Sequence, residues 1–362
     1  MTMQPSSPRV GNPEFLLEAK DLKVTFRAPG GKKLHAVDTI TLGVRPRETV
    51  GLVGESGSGK STVALTLMRA HEPEGGQIIF DGQDVTHLTY KELMPVRRRL
   101  QMVFQDPYSS LDPRWSIRRV IGEPLRAHKY GSRAKINERV AQLLQQVGLP
   151  PDAADRVPSQ FSGGQRQRIA VARALALEPK ALIADEPVSS LDVSIQAQII
   201  NLLRDLQERL GIALLVIAHD LALVHQISDR IIVMYLGEPV EEGPADEVVG
   251  KPQHPYTVAL LSATPVPEPG GGSKRIVLTG EPPSPIYRPT GCRFHPRCPI
   301  ARDRCKTEKP PLKEIGPNRR VSCFYAGEMP PPRDLWALEN VPLPPGVERA
   351  PRPFAVGSSR AN

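Results

Sequence analysis

The chain has 362 residues, a formal net charge of +8 and a 40% hydrophobic share, the composition of a folded protein long enough for two domains. No run of about 18 apolar residues occurs, which excludes a membrane-spanning helix, and Met1 to Pro13 lacks the apolar core of a secretory signal. These absences place the expected location in the cytoplasm, free or docked on a partner.

The charge is unevenly spread. Residues 1–250 hold 30 Lys/Arg against 30 Asp/Glu, and residues 251–362 hold 17 against 9, so the whole excess lies in the C-terminal part. That part also carries 22 of the 39 prolines and all four cysteines. Both shifts mark an expected boundary near residue 250, between a periodic α/β domain and a proline-rich, loop-rich appendage.

In chain order, Leu16–Glu18, Lys23–Phe26, Ala36–Val44 and Thr49–Val53 read as strands. Phe26 precedes a polar Gly-Gly turn and suits either stacking on an adenine ring or a place in the strand core. Gly54-Glu55-Ser56-Gly57-Ser58-Gly59-Lys60-Ser61, followed by Thr62, satisfies the Walker A pattern at every required position. The β-rich run before it and the apolar helical pattern after it (Val63, Leu65, Leu67, Met68) supply the strand–loop–helix context that the motif needs. Glycines let successive N–H groups turn onto phosphate oxygens, and the helix aims its positive end at them. Lys60 is the candidate for the β/γ-phosphates and Ser61 for Mg²⁺.

Gly75 to Gly82 reads as a strand closed by an Asp-Gly turn. Met102-Val103-Phe104 reads as a buried strand with Gln105 at its end, either a ligand to Mg²⁺ or the attacking water, or an ordinary strand cap. Arg97–Arg99 reads as a solvated face, because no aromatics interleave it as nucleic-acid binding would require. From about 106 to 160 the pattern is helical and amphipathic, clearest over Ile136 to Val147, which predicts an inserted helical subdomain.

Phe161-Ser162-Gly163-Gly164-Gln165 opens an Ala-rich helix, with Ser162 as N-cap and two glycines baring backbone N–H groups. This is a second phosphate platform. One domain cannot easily aim both platforms at one nucleotide, which points to a sandwich dimer. Ala181 to Pro187 is a buried strand ending in Asp185 and Glu186, the Walker B arrangement. Asp185 is the candidate Mg²⁺ ligand and Glu186 the acceptor of the attacking water's proton. Ser189–Asp192 follows, then a helix from Ile195 to Leu210. A further buried strand, Ile212 to Ala218, ends in His219, either a structural histidine or a γ-phosphate contact.

In the appendage, Cys292, Cys298, Cys305 and Cys323 fall within about 32 residues. A cytoplasmic setting argues against disulfides, and the clustering argues for a metal or cluster site. The spacing lacks the paired knuckles of zinc ribbons. Arg293, His295, Arg297, Arg302, Arg304 and Lys306 lie among the cysteines. Their positive charge suits an anionic iron–sulfur centre and also a zinc thiolate site, and reduced structural thiols are the remaining alternative.

Together these segments resemble the nucleotide-binding domain of ABC transporters over residues 16–250. The resemblance comprises Walker A at 54–61, Q-loop Gln105, signature 161–165 (Phe161 where Leu is commonest), Walker B at 181–186, D-loop 189–192 and switch His219. It implies a P-loop NTPase fold in which two such domains close head-to-tail on two ATPs. Ser56, Gly57, Ser58, Gly59, Lys60, Ser61, Thr62, Gln105 and His219 then serve one ATP, with Phe26 at the adenine position. Ser162, Gly163, Gly164 and Gln165 serve the partner's.

The segments Phe104 to Arg114, His254 to Leu261 and Arg288 to Cys292 resemble more narrowly the oligopeptide/dipeptide importer ATPases, in their F-type form. That resemblance implies a small C-terminal domain over 251–328 that carries the four cysteines. It also implies a 4Fe-4S cluster, known in some members, with zinc as alternative. The implied partners are a second ATPase subunit in a heterodimer, two transmembrane permeases and an extracytoplasmic substrate-binding protein. The coupling helices of the permeases are received after Gln105 and on the helical subdomain. The place is the cytoplasmic face of the plasma membrane, and no nucleic acid is expected. The alternatives are an importer ATPase for nickel, glutathione or another small solute, and a soluble ABC ATPase acting on nucleic acid or the ribosome. Residues 1–15 and 329–362 are expected to be a flexible N-terminus and a disordered tail.

Overall fold

The structure is a computed structural model that describes residues 11–106, 110–263, 276, 278 and 280–330. The expectation for the tail falls almost wholly outside these residues, as does that for residues 1–10 and for Pro107–Ser109.

Two sheets form the molecule. The first, in the order β2-β1-β4-β5, joins β1 (Leu17–Arg27), β2 (Lys33–Val44), β4 (Gly75–Phe80) and β5 (Gln83–Asp84), all antiparallel. The two strands expected over residues 16–26 are one strand. Asp21, with φ 48°, lies in a register shift that bends it without ending the pairing.

The second sheet is eight-stranded, in the order β11-β12-β10-β9-β3-β8-β7-β6. Its parallel centre comprises β3 (Thr49–Val53), β6 (Leu100–Val103), β7 (Ala181–Asp185), β8 (Ala213–Ala218) and β9 (Arg230–Tyr235). Every residue of β3, β7 and β8 is buried, as continuous apolar runs covered on both faces require. Strand β6 stops at Val103. Phe104, expected inside it, is 40% exposed.

Helix α1 (Lys60–Leu67) buries Val63, Ala64 and Leu67 between the two sheets. Helix α2 (Tyr90–Arg99) starts at a capping box in which Thr89 N–H donates to Glu92 at 2.8 Å. Helices α3 (Ile117–Ala127) and α4 (Arg133–Gln146) stand where the helical insertion was expected. They bury Ile117, Ile121, Val140 and Leu143 in one core with α5 (Gly163–Ala174) and α6 (Val193–Leu210). Short α7 (Leu221–His225) and α8 (Ala245–Gly250) flank β9 and β10 (Glu238–Pro244).

The segment after residue 250 folds back onto this core. It contributes α9 (Pro255–Ser262), α10 (Asp303–Thr307) and a hairpin of β11 (Lys313–Gly316) and β12 (Arg319–Val321). Strand β12 pairs with β10, placing Val321 opposite Glu241, so this hairpin supplies the last two strands of the main sheet. Among the described residues no helix is long and apolar enough to cross a membrane.

Candidate nucleotide site

The parallel register brings the carboxyl ends of β3, β7 and β8 to one edge, with Val53 opposite Ala218 and Asp185 opposite Ile217. Open α/β sheets bind ligands in the crevice at such an edge. Gly54–Gly59, Glu186 and His219 follow directly from these strand ends.

Two of the loop's glycines, Gly54 and Gly59, are sterically required. A Cβ on Gly54 would meet Met234 O at 2.2 Å, and one on Gly59 would meet Ala36 O at 2.2 Å; Gly59 also has φ 101°. Ser56 and Gly57 are exposed, and the Ser58 Oγ is buried without a partner among the described residues. Among the described residues the first N–H groups of α1, at Lys60, Ser61 and Thr62, have no carbonyl acceptor, which suits a helix start for an anion. Lys60, 4% exposed, donates from Nζ to Gly54 O at 2.7 Å and Glu55 O at 2.9 Å. Burial lowers its pKa, against the opposing pull of Glu186, Asp185 and Glu55.

Ser61 Oγ donates to Asp185 Oδ1 at 3.1 Å. Burial raises the Asp185 pKa, with the Glu186 charge adding to it and the Ser61 hydroxyl and Lys60 opposing. Glu186 sits at φ 44°, a left-handed backbone that a non-glycine residue adopts only when its surroundings hold it; here its N–H donates to Ile217 O at 2.8 Å. Its Oε2 accepts from Gln105 Nε2 at 3.1 Å and lies 3.6 Å from His219 Nδ1. The Walker A lysine and serine, the two Walker B carboxylates, Gln105 and His219 therefore form one constellation.

The other candidate residues lie apart from it. Ser162 caps α5, accepting from Gln165 N at 3.3 Å while Gln165 Oε1 accepts from Ser162 N at 3.0 Å. Gly163 and Gly164 pack against Leu191 and Ile195. Phe26 is half-buried and meets His71 edge-on at 5.2 Å.

The four cysteines line one small apolar cavity with His254, Phe294 and Phe324. Burial pushes Cys298 up to about 12 and Cys323 up to about 11, and the nearby sulfurs add to both shifts. The donor chemistry suits a soft metal. Even so, among the described residues no group of three or more His, Cys, Asp or Glu stands close enough to hold a metal ion, so the iron–sulfur and zinc expectations gain no support here.

Sequence reasoning missed three residues at the loop. Glu55 N–H donates to the Tyr256 hydroxyl at 2.7 Å, and the Glu55 carboxylate takes a two-pronged bond from Arg297 at 2.7 and 3.1 Å. Nothing local marks these pairs, since 201 and 242 positions separate the partners.

A family profile described as ABC transporter matches residues 37–189, and one described as oligopeptide/dipeptide transporter, C-terminal region, matches residues 240–305. The oligopeptide transport ATP-binding protein AppF of Bacillus subtilis is 49% identical over 321 residues, covering 86% of this chain and 98% of that protein. A putative peptide import ATP-binding protein of Brucella ovis is 51% identical over 291 residues, covering 80% of this chain and 92% of that protein. Among solved structures, a dimeric ATP-binding cassette in a post-hydrolysis state with ADP and Pi superposes with a TM-score of 0.58 at 31% identity. It covers 63% of this chain and 98% of its own. The cbiO1 part of an ABC transporter complex from Clostridium perfringens gives 0.59 at 28% identity, covering 66% and 92%. This chain belongs to the ATP-hydrolysing subunits of ABC transporters, in the group whose C-terminal region is of the oligopeptide/dipeptide type.

Proposed function

We propose that this protein powers the import of peptides, by coupling ATP binding and hydrolysis at the loop of residues 54–61 to a pair of membrane permeases. The convergence of Gln105 and His219 on the Oε2 of Glu186, beside the Ser61–Asp185 pair, carries this proposal. Peptide is the cargo class because the relatives at about half identity are named for peptide or oligopeptide import.

In the proposed cycle the loop N–H groups and Lys60 hold the phosphates, with Phe26 against the base. Mg²⁺, held by Ser61, Asp185 and Gln105, would neutralise phosphate charge. Glu186 takes the proton of the attacking water, and Gln105 and His219 keep its carboxylate aimed. Ser162, Gly163, Gly164 and Gln165, apart from this constellation, are assigned in this proposal to the nucleotide of a second ATPase subunit, a heterodimeric partner.

The docking face for the permeases is the groove of about 700 Å³ lined by Asp112, Arg114, Trp115, Val120, Glu123 and Arg173. It lies after Gln105 and against the helical insertion, and Arg173 Nη1 donates to Ser110 O at its floor. Docking there puts the protein on the cytoplasmic face of the plasma membrane, with a substrate-binding protein outside. An iron–sulfur or zinc centre at the four thiols rests on the spacing of the cysteines and their relation to this group of ATPases, and iron, zinc and sulfide analysis of anaerobically purified protein tests it.

The deciding experiment is purification of the tagged full chain from native membranes in mild detergent, with mass spectrometry of what accompanies it. Two permeases and a second ATPase are expected. Recovery as a soluble protein alone, or with nucleic acid, overturns the proposal.

A further inference from the structure

Glu55 occupies one of the four variable positions of the Walker A pattern, where the motif asks for no particular side chain. In this protein every polar group of Glu55 is engaged. Its N–H goes to Tyr256 Oη, its carbonyl accepts from Ser58 N at 3.2 Å and from Lys60 Nζ at 2.9 Å, and both carboxylate oxygens accept from Arg297. Two of these partners, Tyr256 and Arg297, come from the segment after residue 250.

Arg297 is held stiffly. Its residue is 7% exposed, and its N–H donates to Phe294 O at 3.0 Å. Phe294 is itself 1% exposed and packs on Tyr235 at 5.2 Å and Tyr256 at 5.4 Å. A second tether reaches the same loop: Arg293 Nη1 donates to Leu236 O at 2.7 Å, and the next residue, Gly237, donates to Ser58 O at 2.9 Å. A buried guanidinium with two parallel bonds to one carboxylate fixes orientation as well as position, which a lysine at the same place cannot do.

We propose that Arg297 is a positioning residue for nucleotide binding, acting through Glu55 to hold the phosphate loop in its open, phosphate-ready shape. The two carbonyls that park the Lys60 ammonium belong to Gly54 and Glu55, so the grip on Glu55 also sets where Lys60 waits. The segment that carries the thiol cavity thereby sets the affinity of the ATP site; Arg297 precedes Cys298, a lining residue of that cavity. The inference rests on the assignment of residues 54–61 as the phosphate site.

The test measures Mg-ATP affinity and steady-state ATPase kinetics on the full-length chain, with Lys60→Ala as reference. Arg297→Lys and Glu55→Gln are each expected to weaken ATP binding about fivefold or more and to raise KM with kcat little changed, measured at a temperature where each variant is fully folded. The double variant is expected to be no worse than either single, because both remove the same contact. Affinity unchanged in Arg297→Lys while Lys60→Ala abolishes binding overturns the inference alone, as do additive losses in the double variant. Binding that survives Lys60→Ala overturns the phosphate-site assignment, and the inference with it.

Discussion

The Ser61 hydroxyl donates to Asp185 at 3.1 Å, joining the first turn of the helix after the phosphate loop to the end of a strand 124 positions away. The contact places a hydroxyl and a carboxylate at the distance from which both can turn onto one cation. Ser61→Ala is expected to lower Mg²⁺ affinity about tenfold or more, read by metal titration of ATP binding. The Asp185 pKa is raised, so the folded protein holds this proton more tightly than the unfolded chain. Acidification is therefore expected to weaken Mg²⁺ binding from a higher pH than at an ordinary aspartate.

The role proposed for Glu186 separates binding from turnover. Glu186→Gln keeps the shape of the side chain and its contact with Gln105 while removing the base. ATP binding is expected to persist and kcat to fall by about 10² or more. Near-normal turnover in this variant would remove Glu186 from its role.

His254 gives the protein an acid-sensitive joint. It is 1% exposed, caps α9 by accepting from Tyr256 N at 3.0 Å, and is pushed by burial down to about 3 from 6.5. A depressed folded pKa means that the unfolded chain takes up the proton first, so stability is lost as pH falls from 6.5 towards 3. The slope approaches about 1.4 kcal/mol per pH unit. His254→Asn, whose side-chain oxygen can serve the same cap, is expected to flatten this dependence in urea melts at pH 7 and pH 4.5.

Glu241 is fully buried at 0% exposure and accepts from Gln253 N, His254 N and Arg319 at 2.9, 2.8 and 3.2 Å. Arg319→Ala strands that carboxylate and is expected to cost about 3 kcal/mol in unfolding free energy. Combining it with Glu241→Gln is expected to recover part of the loss, because no charge is then left buried.

The phosphate loop was legible because its pattern is local, with glycines, Lys60 and a helix start all within Gly54–Thr62, although the groups that force Gly54 and Gly59, Met234 O and Ala36 O, come from elsewhere in the chain. Asp185, Glu186 and His219 were legible for the same reason, each closing a buried apolar strand. Phe104 misled because its apolar side chain continues a strand pattern that the backbone ends at Val103. The hairpin Lys313–Val321 was hidden by proline-rich, charged surroundings, and its place is set by pairing with Glu241 and Glu242 about 80 positions earlier, which no local periodicity encodes. The grip of Arg297 on Glu55 was invisible for a related reason. In the sequence Arg297 is one positive charge among several between the cysteines, whereas burial singles it out.

That grip also has a consequence in time. Synthesis delivers residues at roughly 5–20 per second, so a separation of 242 positions leaves Glu55 outside the ribosome for on the order of 10 seconds or more before Arg297 is made. Throughout that interval the nascent chain carries a recognisable Walker loop without its clamp, and β10, once made, still lacks β12 at its edge. Nucleotide capture and edge closure thus await the same late stretch of chain, which makes a stalled or prematurely ended product both aggregation-prone and slow to sequester ATP.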